Sequence, residues 1–381
     1  MTTPIHCGFI PLTDAAPLIV AHELGFAEEE NIALNLTREH SWSSIRDKLA
    51  FGVYDAAHML APMPIAMSLG KGQVNSKIIA PMVLSMNGDS FVFRTNGEAP
   101  PRFNDTNDFI QYLVKQSADA PIRIGVPFMH SMHVALLRFL IKQSGLNPAE
   151  VVDFSVAPPF VLAEVLKSGE VDGVFVGAPW GAQITDSGTG SLALNGSAIW
   201  AAAPEKVLGV RHEWGERNKT VLHRLIRAIY RAQLWIERPS SQDTLCEILA
   251  RSKYVGIQAD LIQQAFSGQM VLDAKGRVGH DPLALRIGGS SVGFPWISAA
   301  IWIAQNEASA WGVDEKWAIE TAKNCFRPDI YRDALMSIST PMPDGNSKVE
   351  GTLNERQTIN AAQDYYLGPD RFYDGSVFDP K

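Results

Sequence analysis

The sequence repeats itself at an offset of 117 residues, and this repeat constrains the fold more than any other feature. The segments LAFGVYDAAHMLAPMP and LKSGEVDGVFVGAPWG align in that register. The identical pairs are Gly8 and Gly125, Gly52 and Gly169, Asp55 and Asp172, Ala61 and Ala178, and Pro62 and Pro179. Each pair occupies the same place in a pattern of apolar strand, loop, helix, Gly-x-x-Asp turn and second strand. The repeat therefore predicts two related α/β units.

The pattern within each unit indicates where a ligand would bind. Residues 5–11 read as a buried strand, and Asp14 is predicted to cap the helix that follows. In the second unit, residues 122–126 read as a strand and residues 133–143 as a helix. Strands that alternate with helices predict a mostly parallel sheet in each unit. Ligands bind at the carboxyl ends of such strands, so two facing units create a cleft between those ends.

The chain of 381 residues is long enough for two compact lobes. We expect the first part of lobe I in residues 1–88, lobe II in 89–200 and a mostly helical return to lobe I in 201–340. An amphipathic segment, VLHRLIRAIYRAQLWIER, belongs to that return. Residues 341–381 are rich in Pro, Gly, Asp and Asn and predict an extended tail.

Charge and cysteine usage exclude several classes of protein. A net charge of −8 argues against direct nucleic-acid binding, which needs a basic face. No apolar stretch has the length of a membrane span. Cys7, Cys246 and Cys325 are scattered, which predicts reduced thiols without a disulfide framework. Residues 1–20 lack the basic and apolar regions of a secretory leader, so we expect a cytoplasmic protein.

The enzyme motifs that occur in the sequence lack their structural context. Residues 289–293 match G-x-S-x-G, but Pro295 would delay the helix that a nucleophile elbow requires, so we predict a loop. His130 and His133 are three residues apart without a carboxylate at a matching spacing, which argues against a metal site. We therefore predict binding without catalysis, and no cofactor or metal.

Three residues could instead hold an anion at strand-to-helix junctions, where unpaired amides favour negative charge. His133 lies at a predicted helix start, although for this residue alone a solvated histidine is the simpler interpretation. Trp42 lies at another helix start and could donate its indole N–H, or only pack in the core. Lys206 could supply a compact positive charge, or lie on the surface.

Several motifs resemble the nitrate- and bicarbonate-binding proteins of ABC transporters. They are GFIPLTDAAPLIVAHELGFAEEENI, HSWSSIRDKLAFGVYDAAHMLAPMPIA, VDGVFVGAPWGAQ, EKVLGVR, FPWISAAIWIA and CFRPDIYRDAL. The resemblance covers nearly the whole chain in order. It implies an α/β, two-lobed type II periplasmic-binding-protein fold with the anion between the lobes.

The resemblance also implies a set of ligand-binding residues. By motif they are Trp42, Asp89, His133, Gly177 and Lys206. The family usually has an amide at the position of Asp89, and Ser90 is an alternative donor there. It usually has a glutamate at the position of Ala178. Lys206 favours nitrate or nitrite over bicarbonate, since the family's bicarbonate binders have carboxylate-rich, calcium-assisted sites. We therefore expect no carboxylate-rich site here.

Within the family, the expected absence of a leader favours the cytoplasmic nitrate and nitrite sensors of nitrate assimilation. Such sensors hold an ANTAR-type RNA-binding antiterminator inactive and release it when the anion binds. The alternative is the solute-binding component of a nitrate ABC transporter. An enzyme of the thiamine-precursor type is a third, less favoured interpretation. Sulfonates, cyanate-like ions and small aromatic anions remain open as ligands.

Overall fold

The computed structural model describes residues 2–72, 76–95, 97–359 and 365–381, with the side chains of residues 289 and 290 left out. Within these ranges the chain forms two α/β lobes, so the prediction of a two-lobed α/β fold with a helical C-terminal part is confirmed. No helix in the described ranges is both long enough and apolar enough to cross a membrane.

The strands in the described part of the chain are β1 (Thr3–Phe9), β2 (Ile32–Arg38), β3 (Ala56–Leu60), β4 (Ile78–Asn87), β5 (Asp89–Arg94), β6 (Ile122–Val126), β7 (Val152–Val156), β8 (Gly173–Gly177), β9 (Gly190–Asn195), β10 (Pro204–Arg211), β11 (Gln269–Val271), β12 (Val278–His280), β13 (Leu285–Arg286), β14 (Gln357–Ile359) and β15 (Tyr365–Leu367).

The helices in the same ranges are α1 (Ala16–Glu23), α2 (Phe26–Glu29), α3 (Trp42–Ala50), α4 (Pro62–Ser68), α5 (Thr106–Gln116), α6 (Met132–Gln143), α7 (Pro148–Val151), α8 (Pro159–Ser168), α9 (Trp180–Asp186), α10 (His212–Arg217), α11 (Lys219–Ile236), α12 (Gln242–Ala250), α13 (Ala259–Ser267), α14 (Gly289–Gly293), α15 (Ile297–Trp311), α16 (Glu315–Cys325) and α17 (Pro328–Leu335).

The two large sheets share the topology of five strands, and the sheet of lobe I has β13 as an additional edge strand. The sheet of lobe I has the strand order β13-β4-β10-β3-β1-β2, and that of lobe II has the order β7-β6-β8-β5-β9. In lobe I, β1 pairs in parallel with β2 and β3, and β10 pairs antiparallel with β3 and β4. In lobe II, β6 pairs in parallel with β7 and β8, and β5 pairs antiparallel with β8 and β9.

The prediction of mostly parallel sheets is therefore only partly right. Each lobe receives one strand from a chain segment that has just left the other lobe, and that strand runs against its neighbours. The first crossing follows β4 and leads into β5, and the second follows β9 and leads into β10. A local sequence pattern does not show the direction in which a strand enters a distant sheet.

The sequence repeat has a direct structural counterpart in the Gly-x-x-Asp turns. The carboxylate of Asp55 accepts a hydrogen bond from the backbone N–H of His6 at 2.9 Å. The carboxylate of Asp172 accepts the equivalent bond from the N–H of Arg123 at 3.2 Å. The two acceptors, Asp55 and Asp172, are 117 residues apart, and the two donors, His6 and Arg123, have the same separation. The repeated aspartates therefore tie the beginning of β3 to β1, and the beginning of β8 to β6.

The repeated glycines on β1 and β6 mark positions of close approach. A Cβ atom on Gly8 would lie 2.4 Å from the ring of Tyr54, and one on Gly125 would lie 2.8 Å from Leu162. The position equivalent to Tyr54 is Val171, which also lies next to Gly125. Ile45 on α3 would also lie 2.9 Å from a Cβ atom on Gly8, and Leu162 belongs to α8, so the helix of each unit packs against its central strand where only a glycine leaves room.

Two local predictions are wrong. Asp14 does not cap α1, because no side chain forms a hydrogen bond at the N-terminus of this helix. The carboxylate of Asp14 instead contacts Lys206 in the interlobe region. Residues 289–293 form the short helix α14 rather than a loop. The apolar contacts of this segment with β4 and α11 stabilise a helical turn that its glycines alone would disfavour.

The C-terminal tail contacts the segment that leads from β9 to β10, and it also contacts helix α15. The N–H of Ala201 donates to the carbonyl of Arg371 at 3.0 Å, and the N–H of Tyr373 donates to that of Ile199 at 2.9 Å. Phe372 stacks on Trp200 and lies 5.9 Å from Trp302 of α15. The last residues of the chain thus cover the second crossing between the lobes.

Candidate functional site

The two lobes meet at the carboxyl ends of β3 and β8, where the repeated Ala-Pro dipeptides begin the next loops. The N–H of Thr13 donates to the carbonyl of Ala178 at 2.9 Å. The indole N–H of Trp180 donates to the carbonyl of Pro11 at 3.1 Å. These hydrogen bonds join the loop after β1 to the loop after β8. The lobes are therefore in direct contact around the space between the strand ends.

The crossing strands place two chemically opposite residues at equivalent positions of this space. Asp89 on β5 is paired with Gly177 at the end of β8. Lys206 on β10 is paired with Leu60 at the end of β3. Leu60 and Gly177 lie 117 residues apart, so the two pairings are related by the repeat. At this pair of equivalent positions each lobe contributes one ionisable residue, and both are buried.

Trp42 begins α3 and is only 1% exposed. Ser41 accepts a hydrogen bond from the N–H of Ser44 at 3.2 Å, so this serine caps the helix and fixes the direction in which Trp42 leaves it. The indole Nε1 has no hydrogen-bond partner among the described residues. A buried N–H without a partner costs free energy, and an oxygen atom of a ligand would remove that cost.

Lys206 is fully buried, and its ammonium lies between two carboxylates. Nζ is 2.8 Å from Oδ2 of Asp14 and 2.6 Å from Oε1 of Glu205. It also lies 5.8 Å from the centre of the Trp42 ring. Burial lowers the pKa of Lys206, but Asp14, Glu205 and Asp89 outweigh burial and raise it, so the side chain stays charged. An ammonium has three N–H donors, and two carboxylates leave one for a ligand.

Asp14 holds Lys206 from the lobe I side with the help of His58. Oδ1 of Asp14 lies 3.1 Å from Nε2 of His58, whose ring is 5.5 Å from that of Trp42. Burial raises the pKa of Asp14, but Lys206 and His58 lower it to about 2. Burial lowers the pKa of His58, which is therefore neutral near pH 7. Asp14 is thus a fixed negative charge that positions the ammonium.

His133 lies in the first turn of α6, between the carboxyl groups of two other residues. Nε2 is 3.2 Å from Oδ1 of Asp89, and Nδ1 is 3.6 Å from Oε1 of Glu205. Burial, followed by the charge of Lys206, lowers the pKa of His133 well below its usual value. The ring is therefore neutral, and a neutral imidazole carries one N–H donor and one acceptor nitrogen.

Asp89, His133 and Glu205 are the one group in the described ranges whose spacing would admit a metal ion, with ligand atoms within 4.8 Å of one another. However, the Lys206 ammonium already lies 2.6 Å from Oε1 of Glu205 and neutralises this carboxylate. A second positive charge beside it would be repelled. We assign no metal to these residues, and the expectation of no metal or cofactor remains a prediction.

Gly177 and Ser90 differ in how they relate to the site. A Cβ atom on Gly177 would lie 3.4 Å from the side chain of Leu12 of the other lobe, so this glycine allows the lobes to approach closely. Ser90 donates its hydroxyl to Oδ1 of Asn195 at 2.9 Å and is not available as the alternative donor. The structure brings Trp42, Asp89, His133, Gly177 and Lys206 to the interlobe region, and their role in ligand binding remains a prediction.

The interlobe site has more carboxyl groups than Asp89, the one carboxyl group in the expected set of ligand-binding residues. Asp14, Asp89 and Glu205 are all buried around Lys206. The sequence pattern predicts that Asp14 caps a helix, and neither His58 nor Glu205 is among the residues predicted for the site. The EK pair on β10 was the available signal for Glu205, since an acidic neighbour beside a lysine in an apolar strand needs a partner.

Two cavities in the described part of the chain lie away from this site. A groove of about 620 Å³ runs along α16 and the beginning of α17, and one of about 540 Å³ lies beside α6 and α15. Trp317 and Lys323 line the first, and Lys142 and Asn147 line the second. Exposed and buried side chains both line these grooves, whereas the interlobe site gathers buried donors that have no partner in the described ranges.

Comparison with known proteins agrees with this architecture. Residues 1–250 match the NMT1-like family. The nitrate/nitrite binding protein NrtA of Synechococcus elongatus is 28% identical over 98% of this chain and 83% of its own length. The bicarbonate transport ATP-binding protein CmpC of Synechococcus elongatus is 31% identical over 88% of this chain, which spans 49% of CmpC.

A solved structure extends the comparison to the whole fold. The crystal structure of the periplasmic nitrate-binding protein NrtA from Synechocystis PCC 6803 matches with a TM-score of 0.86 and 23% sequence identity. The match covers 100% of this chain and 96% of that one. The periplasmic-binding-protein fold implied by the sequence motifs is therefore confirmed.

Proposed function

The chain belongs to the NMT1-like family, and from this premise we propose that it binds nitrate or nitrite in the interlobe site without catalysing a reaction. The observation that carries the proposal is the buried pair of donors formed by Trp42 and Lys206. The indole Nε1 has no partner among the described residues, and the ammonium has an N–H to spare. The Lys206 ammonium lies 5.8 Å from the centre of the Trp42 ring, so the two buried donors are neighbours.

A planar oxyanion suits these donors because it presents several acceptor oxygens and no proton. Neutral His133 adds a further N–H, and Asp14 keeps the ammonium in place. A hydrogen bond to a charged group contributes about 1.5–3 kcal/mol in a buried site. Selectivity against larger anions such as sulfonates would follow from the contact between Leu12 and Gly177, which limits the space between the lobes.

For the cellular role we propose a solute-binding component of an ABC-type nitrate importer. The NrtA relatives are named as nitrate/nitrite binding proteins, and the CmpC relative as a transport ATP-binding protein. In this role the lobes close on the anion, and the closed form is the one presented to a membrane permease. Binding without chemistry is sufficient for such a component.

The second candidate is the cytoplasmic sensor that controls an ANTAR-type antiterminator. One observation favours it: Cys7, Cys246 and Cys325 are all free and buried, as is common in chains that stay in a reducing compartment. By linkage, an anion that releases the antiterminator must bind more weakly when the antiterminator is present. Nitrate titrations with and without that partner, together with fractionation of the native host, distinguish the two roles. Equal affinities in both titrations would contradict the sensor.

The binding proposal is tested by isothermal titration calorimetry with nitrate, nitrite, bicarbonate and an alkanesulfonate. We expect one site per chain for nitrate or nitrite. Trp42→Phe keeps the ring but removes the N–H, and should weaken binding by about 10-fold or more. Trp317→Phe on the exposed face of α16 is the matched control and should bind like the unmodified protein. Equal binding by both variants would place the anion elsewhere.

A further inference from the structure

The interlobe site contains more acidic groups than one ammonium can neutralise. The titratable and charged groups that face it are Asp14 before α1, His58 on β3, Asp89 on β5, His133 on α6, and Glu205 and Lys206 on β10. Both histidines are neutral near pH 7. If all three carboxyl groups were ionised, the site would carry a net charge of about −2 before any anion entered, since only Lys206 is positive.

The three carboxyl groups are not equivalent in their contacts. Asp14 is held by Lys206 and His58, and Oε1 of Glu205 accepts a hydrogen bond from Lys206 at 2.6 Å. Both oxygens of Asp14, both oxygens of Asp89 and Oε2 of Glu205 lack a hydrogen-bond partner in the described ranges. The two aspartates differ in the group they face: Oδ2 of Asp14 lies 2.8 Å from the Lys206 ammonium, whereas Oδ1 of Asp89 lies 3.2 Å from the neutral ring of His133. Asp89 and Glu205 come from the two crossing strands, and their carboxyl oxygens lie within 4.8 Å of each other. A single proton shared by this pair would satisfy both groups.

We propose that Asp89 holds a proton and determines the specificity of the site, so that the protein binds its anion together with that proton. The inference rests on the proposed binding function. In the acid form, Asp89 has an O–H donor that it can turn from Glu205 towards an oxygen of the anion. In the ionised form, Asp89 would repel the anion at short range. The site therefore selects oxyanions that only accept hydrogen bonds.

The electrostatics of the pair support this assignment. Burial, and then the charge of Glu205, raise the pKa of Asp89 well above its usual value. Burial also raises the pKa of Glu205, although the charge of the neighbouring Lys206 opposes this rise. The proton accordingly stays on Asp89, with Glu205 as its acceptor. Asp14 does not compete for it, because Lys206 and His58 hold the pKa of Asp14 at about 2.

If Asp89 must hold a proton, the affinity for the anion decreases as the pH rises. Below the raised pKa of Asp89 the proton is already present, and affinity for the anion is at its maximum. Above that pKa a proton must be taken up with each anion, so affinity falls about tenfold per pH unit. Lys206 stays charged over this range because its own pKa is raised, and the two neutral histidines contribute no charge.

The test measures nitrate affinity from about pH 6 to about pH 9 for the unmodified protein and for Asp89→Asn. The amide of Asp89→Asn donates a hydrogen bond without titrating, so its affinity should be independent of pH. Calorimetry in two buffers of different ionisation enthalpy counts the protons. At the alkaline end we expect uptake of about one proton per nitrate for the unmodified protein and none for Asp89→Asn.

Two further variants keep the result interpretable. Glu205→Gln removes the charge that helps to raise the pKa of Asp89, so the fall in affinity should begin at lower pH than in the unmodified protein. This shift covers the case in which Asp89→Asn does not fold. Glu307 on α15 is a buried carboxyl group outside the site whose pKa burial raises to about 7. Glu307→Gln is therefore a matched control, and it should keep the pH slope of the unmodified protein.

The possible outcomes separate the two proposals. Nitrate binding by the unmodified protein with a flat pH profile and no proton uptake would overturn the proton-holding role of Asp89, and leave the binding function standing. The same slope in Asp89→Asn and the unmodified protein would overturn it as well. Absence of nitrate and nitrite binding by every variant at every pH would overturn the binding function and the proton coupling together.

Discussion

Lys206 shows how a positive charge is kept inside a protein region that water does not reach. Its ammonium is fully buried, and Asp14 and Glu205 lie within 2.8 Å of Nζ on two sides. Removing one partner of a buried ion pair leaves the other charge without compensation, which costs more than the pair itself contributes. The same arrangement that stabilises the lysine therefore makes it hard to replace.

The position of Lys206 between two buried carboxylates predicts the effect of Lys206→Met. The variant should lose nitrate binding below detection, because the charged donor is gone. It should also lose about 3–5 kcal/mol of unfolding free energy near pH 7, because Asp14 and Glu205 are left facing each other. Urea unfolding and calorimetry measure the two effects. Lys206→Arg keeps the charge and should remain folded with weakened binding. Full nitrate binding by Lys206→Met would contradict the role of the ammonium.

The residues that sequence analysis missed share one property. Asp14, His58 and Glu205 have their decisive contacts with residues that are distant in the chain, apart from the neighbouring Lys206. Trp42 and His133 were selected because a helix start is visible locally. A carboxylate in a loop before a helix has an equally local explanation as a cap, so Asp14 could not be distinguished from one by sequence pattern.

At the scale of elements, the repeated glycines on β1 and β6 are the clearest link between sequence and packing. The central strand of each unit lies against its helix with no room for a side chain at Gly8 or Gly125. The neighbours differ in stiffness. Gly8 faces the flat ring of Tyr54, whose hydroxyl donates to Glu39, whereas Gly125 faces the flexible end of Leu162. Overpacking costs more where the neighbour cannot move.

We therefore expect Gly8→Ala to destabilise the protein more than Gly125→Ala does, by about 3 kcal/mol against about 1 kcal/mol. Urea unfolding of both variants measures the difference. Tyr54→Val gives lobe I the residue that lobe II has at the equivalent position, Val171. In a double-mutant cycle, Tyr54→Val should recover most of the loss caused by Gly8→Ala. Additive losses would contradict the close contact with the ring.

The elements themselves were predictable to different degrees. The repeat predicted both βαβ units. Glycine and aspartate at a fixed spacing indicate turns and close packing, and both features depend on residues that are near one another in the chain. The antiparallel entry of β5 and β10 was not predictable, since it depends on which lobe the chain has just left. The helix α14 was also missed, because tertiary contacts override the low helix propensity of glycine.

At the scale of the whole molecule, the two crossings explain why the site lies between the lobes. Each crossing strand begins at the interlobe surface, so its first residues are placed between the two sheets. Asp89 and Lys206 are therefore contributed by different lobes at equivalent pairing positions. A movement that separates the lobes also separates Asp89 from Lys206. A bound anion that contacts both of these residues will therefore favour the closed form.

A crystal structure of the protein grown with nitrate tests this account most directly. We expect one planar anion between the lobes, with oxygens within hydrogen-bond distance of Trp42 Nε1, Lys206 Nζ and His133. A well-ordered structure with nitrate bound only elsewhere, or with the interlobe space closed by side chains at saturating nitrate, would contradict the account.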